Sequence, residues 1–203
     1  AEKLAREACH IEIEICGKPI GKQDQYIAAF GGLQFIQFNS DESVYVDPLT
    51  CSPEVKESLQ QHLLMLYTGV TRSANDILSE QRQKTFTDAN TRGILRQMRE
   101  LADALRLSIF SNHLDEFGTI LHEVWMLKQS LTKQITTSQI NTWYERARQN
   151  GAIGGKLLGA GGGGFLLLYA PPDAHAGILR ALPELRPIDF RFESQGSKII
   201  FIE

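Results

Sequence analysis

Between Lys156 and Pro172 the chain reads KLLGAGGGGFLLLYAPP, with glycine at five of the six positions from Gly159 to Gly164. Glycine surrenders more conformational freedom on folding than any other residue, so such a run must serve a backbone that side chains would obstruct. Short apolar stretches, GAIGGKLL and GGFLLLYA, press in on both sides and read as strands. A strand–glycine–strand unit is left with two readings. Successive N–H groups could turn inward as an anion nest, with a polyphosphate as guest. Alternatively, the run is a tight hairpin or a place where two backbones pass closely. A Walker A loop is excluded, because no GK[ST] follows and the next segment is a strand. A dinucleotide fingerprint is excluded too, because it needs a helix after the glycines.

The rest of the chain surrounds this unit with helices. HLLMLYTGV reads as a buried strand ending at Gly69, and TRSANDILSEQRQ opens a helix capped by Thr71 or Ser73. Amphipathic helices are expected at about Ala89–Ser108, Asn112–Leu131 and Thr137–Asn150; Ile94, Leu95, Met98, Leu101, Ala102 and Leu105 mark the face of the first. PDAHAGILRAL is a helix with proline at its start. IDFRF and KIIFIE are expected to close the chain as a hairpin-like pair around Gln195 and Gly196. Strand, helices, two strands, helix, two strands is the order of an α+β fold, with helices on one face of a mostly antiparallel sheet.

Ahead of this lies a smaller region. Residues Gln23–Phe30 form a short helix closed by Gly31 and Gly32. LQFIQF and VYVDPL are two strands around a polar turn, Asn39 to Ser43. The chain begins AEKLAREACHIEIEI, with Leu4, Ala5, Ala8 and Cys9 on one helical stripe and no initiating methionine. It reads as the interior of a longer protein.

Composition removes several function classes. A net charge of −3 with no basic cluster argues against a nucleic-acid footprint. No apolar run approaches the roughly 20 residues that span a bilayer. Cys9, Cys16 and Cys51 show no metal spacing and read as buried thiols in a reducing compartment, so the cytoplasm is the expected location.

Two acidic positions have chemical potential. In GKQDQ, Asp24 follows a glycine turn beside Lys22 at a helix start. A cation and a helix N-terminus keep a carboxylate ionised, able to accept a proton from a hydroxyl that attacks phosphorus. An acid in a helix's first turn is also favourable for the dipole alone. Glu12 and Glu14 alternate with Ile11, Ile13 and Ile15. That pattern points a face to water, unless one glutamate meets Mg²⁺ at a phosphate site.

The two stretches GKQDQYIAAFGG and KLLGAGGGGFLLLYAP, about 130 residues apart, together resemble segments of the GHMP small-molecule kinases. The first is similar to the segment carrying that family's catalytic aspartate, the second to its glycine loop near the nucleotide phosphates. GKQDQYIAAFGG and YTGVTRSA are shared in form with its bacterial D-glycero-D-manno-heptose 7-phosphate kinases. The resemblance implies the end of a GHMP N-terminal domain over residues 1–50 and a ferredoxin-like C-terminal domain over residues 51–203. It implies Asp24 as general base, Glu12 as Mg²⁺ ligand, and Gly159, Ala160, Gly161, Gly162, Gly163 and Gly164 on the ATP phosphates. Arg72 and Lys22 become candidate substrate contacts, Arg72 for a phosphate already on the sugar; Lys156 is weighed for the same task. The implied reaction is ATP-dependent phosphorylation of the anomeric hydroxyl of the heptose 7-phosphate. The alternatives are galactose, fucose or a mevalonate-pathway alcohol as acceptor, or a non-catalytic sugar- and nucleotide-binding regulator. A small-molecule sugar or sugar phosphate is the expected partner, with no nucleic acid and no membrane; a homodimer is left open. The family's first two motifs have no counterpart here. Activity is therefore expected of a parent protein, and little or none of these residues alone.

Overall fold

The computed structural model describes residues 1–200. It divides into two compact units, Ala1–Thr50 together with the segment from Arg191 onward, and Cys51–Phe190. The division expected from sequence also falls after residue 50 but leaves the last stretch with the second unit. The backbone explains the difference. Gly32 N–H donates to the Glu193 carbonyl at 2.9 Å, and Ser197 N–H to that of Ala28 at 2.9 Å. These bonds hold the final segment to the end of the helix that Gly31 closes.

In the first unit, helix α1 (Glu2–Cys9) runs directly into a π-helical stretch, His10–Ile15. Cys16 N–H reaches the Ile11 carbonyl at 2.8 Å, and Lys18 N–H that of Glu12 at 2.9 Å, before Gly17 turns away at φ +62°. The alternation of isoleucine and glutamate therefore does not split into two faces of a strand: Ile13 packs against the core, while Ile11 and Ile15 stay exposed. Helix α2 (Gln23–Phe30) ends at Gly31 with φ +68°. A side chain there would strike the backbone of Gln195 and Gly196, so glycine is needed for space as well as for conformation. Strands β1 (Gln34–Phe38) and β2 (Val44–Pro48) pair antiparallel, Ile36 opposite Val46. Ala5, Cys9, Tyr26 and Ala29 form the core beneath them. The small residues at 5, 9 and 29 let α1 and α2 lie close together.

The second unit is built on a four-stranded antiparallel sheet, in the order β4 (Gly154–Leu157), β5 (Phe165–Tyr169), β3 (Leu63–Tyr67), β6 (Arg186–Pro187). Leu66, Leu157, Leu166 and Leu168 are fully buried on it. Each contributes on the order of 2 kcal/mol by leaving water. Around the sheet lie α3 (Pro53–His62), α4 (Ala74–Thr87), α5 (Ala89–Phe110), α6 (Leu114–Leu131), α7 (Ser138–Gln149) and α8 (His175–Ala181). Local chemistry sets several starts. Ser52 accepts from Val55 N–H with Pro53 in the first turn, Asp88 accepts from Asn90 and Thr91, and Thr137 from Ile140. Ser73 occupies the N-cap of α4, but its side chain makes no capping bond. This is an α+β arrangement of helices and an antiparallel sheet.

Two further expectations are corrected. IDFRF and the described part of KIIFIE are not strands; residues 201–203 lie outside the described residues. Of this terminal stretch, only Arg186–Pro187 among the described residues forms a strand, on β3, extended by Ile188 N–H to the Met65 carbonyl, because the chain beyond Phe190 finds its partners in the first unit. Of the three cysteines only Cys9 is buried; Cys16 is exposed at the end of the π-helical stretch and Cys51 is half-buried. Among the described residues, no helix is long and apolar enough to cross a membrane.

Candidate functional site

The sequence candidates fall into two groups, one in each unit. In the first unit, Glu12 and Asp24 line the same shallow cavity of about 420 Å³, with Gln25, Ala28 and Ser197 on its walls. Asp24 stands in the first turn of α2, where the unpaired N–H groups of a helix favour negative charge. It is exposed and makes no hydrogen bond or ion pair among the described residues. Glu12, also exposed, accepts a hydrogen bond from Gln25 Nε2 at 2.9 Å. The Gln25 amide oxygen is buried and lacks a partner. Gln25 thus orients Glu12 within that cavity. Glu14 turns elsewhere, to His10 Nδ1 at 2.8 Å.

Lys22 is not brought to Asp24. Its ammonium lies 3.6 Å from a Glu42 carboxylate oxygen and faces a different cavity, of about 710 Å³, with Cys9, His10 and Asp41. Among the described residues, no group of three or more His, Cys, Asp or Glu side chains is placed to hold a metal by itself.

In the second unit, the glycine run joins β4 to β5 and is bolted to its surroundings. Gly162 N–H donates to the Ile135 carbonyl and Gly164 N–H to that of Val70, both at 2.8 Å. The Gly164 carbonyl accepts from Thr68 N–H at 2.9 Å and from Thr68 Oγ1 at 2.8 Å. The loop therefore spends alternate N–H groups on the protein. Those of Ala160, Gly161 and Gly163 make no backbone bond among the described residues, and the run is exposed at its Gly159 end. Gly161 has φ +118°, and a side chain there would meet the Ile135 main chain at 2.8 Å. Gly163 needs no unusual φ; it is glycine because Val70's carbonyl lies against it. The close-crossing reading of the run holds, and N–H groups are left over beside it.

Three cations border the loop. Arg72 lies between Gly69 and α4, and its Cδ would sit 2.9 Å from a Cβ on Gly162. It is exposed and forms no ion pair among the described residues. Lys128 donates from Nζ to the Gly159 carbonyl at 2.5 Å. Lys156, half-buried on β4, makes no hydrogen bond or ion pair among the described residues. Burial, with Lys156 adding repulsion, pushes Lys128 down to about 8, and burial lowers Lys156 as well.

Packing explains why both lysines lie toward the same end of the loop. Gly118 on α6 and Gly154 on β4 touch so closely that a Cβ on Gly154 would overlap the Gly118 carbonyl oxygen. From that contact, ten residues of helix advance about 15 Å. Five residues of extended chain advance about 16 Å. Lys128 on the helix and Gly159 at the strand's end therefore arrive together. Lys156, two residues beyond Gly154, shares its face of the sheet, the one against α6.

Comparison with known proteins places this arrangement. Residues 96–187 match the family described as GHMP kinases C terminal. That stretch of the chain is a GHMP kinase C-terminal domain. The D-glycero-alpha-D-manno-heptose 7-phosphate kinase of Campylobacter jejuni is 29% identical over 198 residues, 97% of this chain and 58% of that protein. The bifunctional fucokinase/GDP-fucose pyrophosphorylase of Arabidopsis thaliana is 31% identical over 88% of this chain and 17% of its own length. Among solved structures, a D-glycero-D-manno-heptose 1-phosphate kinase from Bacteroides thetaiotaomicron superposes with TM-score 0.66 at 25% identity, over 97% of this chain and 55% of its own. The mevalonate kinase of Methanococcus jannaschii shares the fold, with TM-score 0.70 at 20% identity over 95% of this chain and 56% of its own. The chain thus spans just over half the length of the heptose kinase it matches and of both solved structures.

Sequence reading passed over two residues that the GHMP kinase-like fold makes prominent. Gln25 stood inside a quoted motif, next to Asp24. Lys128 had a clearer signal. Leu114, Phe117, Leu121 and Trp125 mark the buried face of α6, and Leu131 follows as another buried residue. Position 128 falls on that face by helical spacing, yet carries a charge.

Proposed function

We propose that the protein containing this chain is an ATP-dependent kinase that phosphorylates the anomeric hydroxyl of D-glycero-D-manno-heptose 7-phosphate. The observation that carries the reading is Asp24, an unpaired carboxylate sharing one cavity with Glu12. Support comes also from the heptose 7-phosphate kinase that is similar along almost the whole chain.

Asp24 accepts the hydroxyl proton as the sugar oxygen forms its bond to the γ-phosphorus, and the bond to the β-bridging oxygen breaks to release ADP. The unspent N–H groups of Ala160, Gly161 and Gly163 donate to phosphate oxygens. Arg72, in no ion pair among the described residues, takes the phosphate the sugar already carries. Glu12 fits Mg²⁺, a hard cation that needs only one or two carboxylates when phosphates supply further oxygens. The ion would neutralise charge on the β- and γ-phosphates. Residues 1–50 are read as the end of a GHMP N-terminal domain, and the cytoplasm as the location.

The test is a substrate panel with the full-length protein, scoring ATP consumption across sugars and sugar 7-phosphates. Asp24→Asn removes turnover, by about 10²-fold or more, while ATP affinity stays near that of the parent. Activity within a few-fold of the parent would refute the assignment. The fucokinase relative at 31% identity favours a second reading, with an unphosphorylated sugar as acceptor. Arg72→Ala separates the two: it raises KM for a sugar phosphate and leaves that for a free sugar unchanged.

A further inference from the structure

Lys128 and Lys156 have no role in the reading above. Two ammonium groups brought together in a partly dry setting repel one another and lose hydration. Proteins ordinarily offset this with a carboxylate. Here neither lysine forms an ion pair among the described residues, and the one protein acceptor is the Gly159 carbonyl, which takes a single bond from Lys128. An ammonium has three N–H donors, so Lys128 keeps two and Lys156 keeps three. The nearest backbone belongs to the exposed end of the loop, where the N–H groups of Ala160 and Gly161 are also unspent. The two ammonium groups and these N–H groups gather unspent donors at the rim, and no carboxylate forms an ion pair with either lysine among the described residues.

We infer that Lys128 and Lys156 form a two-lysine clamp that binds a phosphate oxyanion at the Gly159 end of the loop. The placement supports this over a scaffolding role. A lysine needed only to hold a carbonyl gains nothing from a second cation beside it, and the Gly118–Gly154 contact already fixes α6 on β4. The lowered pKa of both groups is what a dianion would reverse on binding. The phosphate can come from the nucleotide's tail or from a phosphorylated sugar. The inference rests on the glycine loop being a phosphate site, as in the proposed function, and adds the residues that supply its charge.

Isothermal titration calorimetry with the full-length protein tests it. Sodium tripolyphosphate stands for the nucleotide tail and a hexose phosphate for the sugar. Lys128→Met weakens binding of one or both by roughly 10- to 100-fold, the range expected for a charge-assisted hydrogen bond; Lys156→Met does likewise. Lys128→Arg, which keeps the charge, stays within about 5-fold of the parent. Loss confined to tripolyphosphate assigns the clamp to the nucleotide, and loss confined to the hexose phosphate assigns it to the sugar. The parent binding neither, or the methionine variants binding both as the parent does, overturns the inference. Thermal melts without ligand give a second check. Removing a clamp lysine leaves Tm equal or higher, whereas a lower Tm with unchanged affinity shows a mere strut and overturns the inference. Transfer activity keeps the two proposals apart. Lysine-dependent tripolyphosphate binding without transfer to any sugar sinks the kinase reading alone; transfer with lysine-independent phosphate binding sinks the clamp alone.

Discussion

Replacing Gly163 with alanine puts a methyl group 2.8 Å from the Val70 carbonyl carbon, 3.2 Å from its Cβ and closer still to its oxygen. Val70 cannot easily retreat. Its carbonyl accepts from Gly164 N–H at 2.8 Å, and Gly164 is itself gripped by Thr68 through both main-chain and side-chain bonds. Forcing the crossing apart costs about 1–3 kcal/mol in overpacking. Weakening the Gly164 bond adds roughly 1 kcal/mol. The expected loss is about 3 kcal/mol, or about 6–12 °C in Tm for a protein of this size. Gly159→Ala is the control: φ is +72° but nothing lies within 4 Å, so only the backbone penalty of about 1 kcal/mol applies. Urea denaturation followed by circular dichroism measures both variants. Equal losses, or a Gly163→Ala variant within about 1 kcal/mol of the parent, would refute the claim that steric crossing rather than φ demands glycine at 163.

The remaining predictions concern charge and capping. Lys128 titrates near 8 when folded, below its unfolded value, so between these the unfolded chain holds a proton the folded chain lacks. Ligand-free stability due to this group therefore rises as pH climbs from about 8 toward 10, by about 1–2 kcal/mol after allowance for the water that reaches the ammonium. Subtracting the Lys128→Met melting curve from that of the parent across this range isolates the slope, and parallel curves would disprove it. Thr137→Ala removes the side-chain bond to Ile140 N–H and lowers stability by about 1 kcal/mol, read as a shift of the urea midpoint at unchanged slope.

Much of the fold was legible because its causes are local. The helix starts expected near Ala89 and Thr137 follow from the Asp88 and Thr137 caps, helix faces from the 3.6-residue period, and the end of α2 from Gly31, whereas α3, with its equally local Ser52 and Pro53 start, was passed over. These preferences act within a few residues, and the chain carries them wherever it goes. The strands β1, β2, β3, β4 and β5 were visible for the same reason, as short apolar or alternating runs between turn residues. Asp24 and the glycine run stood out as motifs, because a short order of residue types is itself sequence information.

What only the tertiary structure decided are pairings between distant positions. The sequence left Lys22 as Asp24's neighbour; folding gave it to Glu42, across the turn between β1 and β2. A terminal hairpin was reasonable from alternation alone, but the last segment's N–H and carbonyl groups bond instead to residues near the end of α2. Nothing near Gly163 announces Val70, and nothing near Lys128 announces Gly159, because each meeting depends on how an element packs once it has formed. Local sequence determines which backbone shapes are cheap, whereas packing determines which groups lose water together. That second step placed Lys128 and Lys156, neither in an ion pair among the described residues, at the rim of a bare loop.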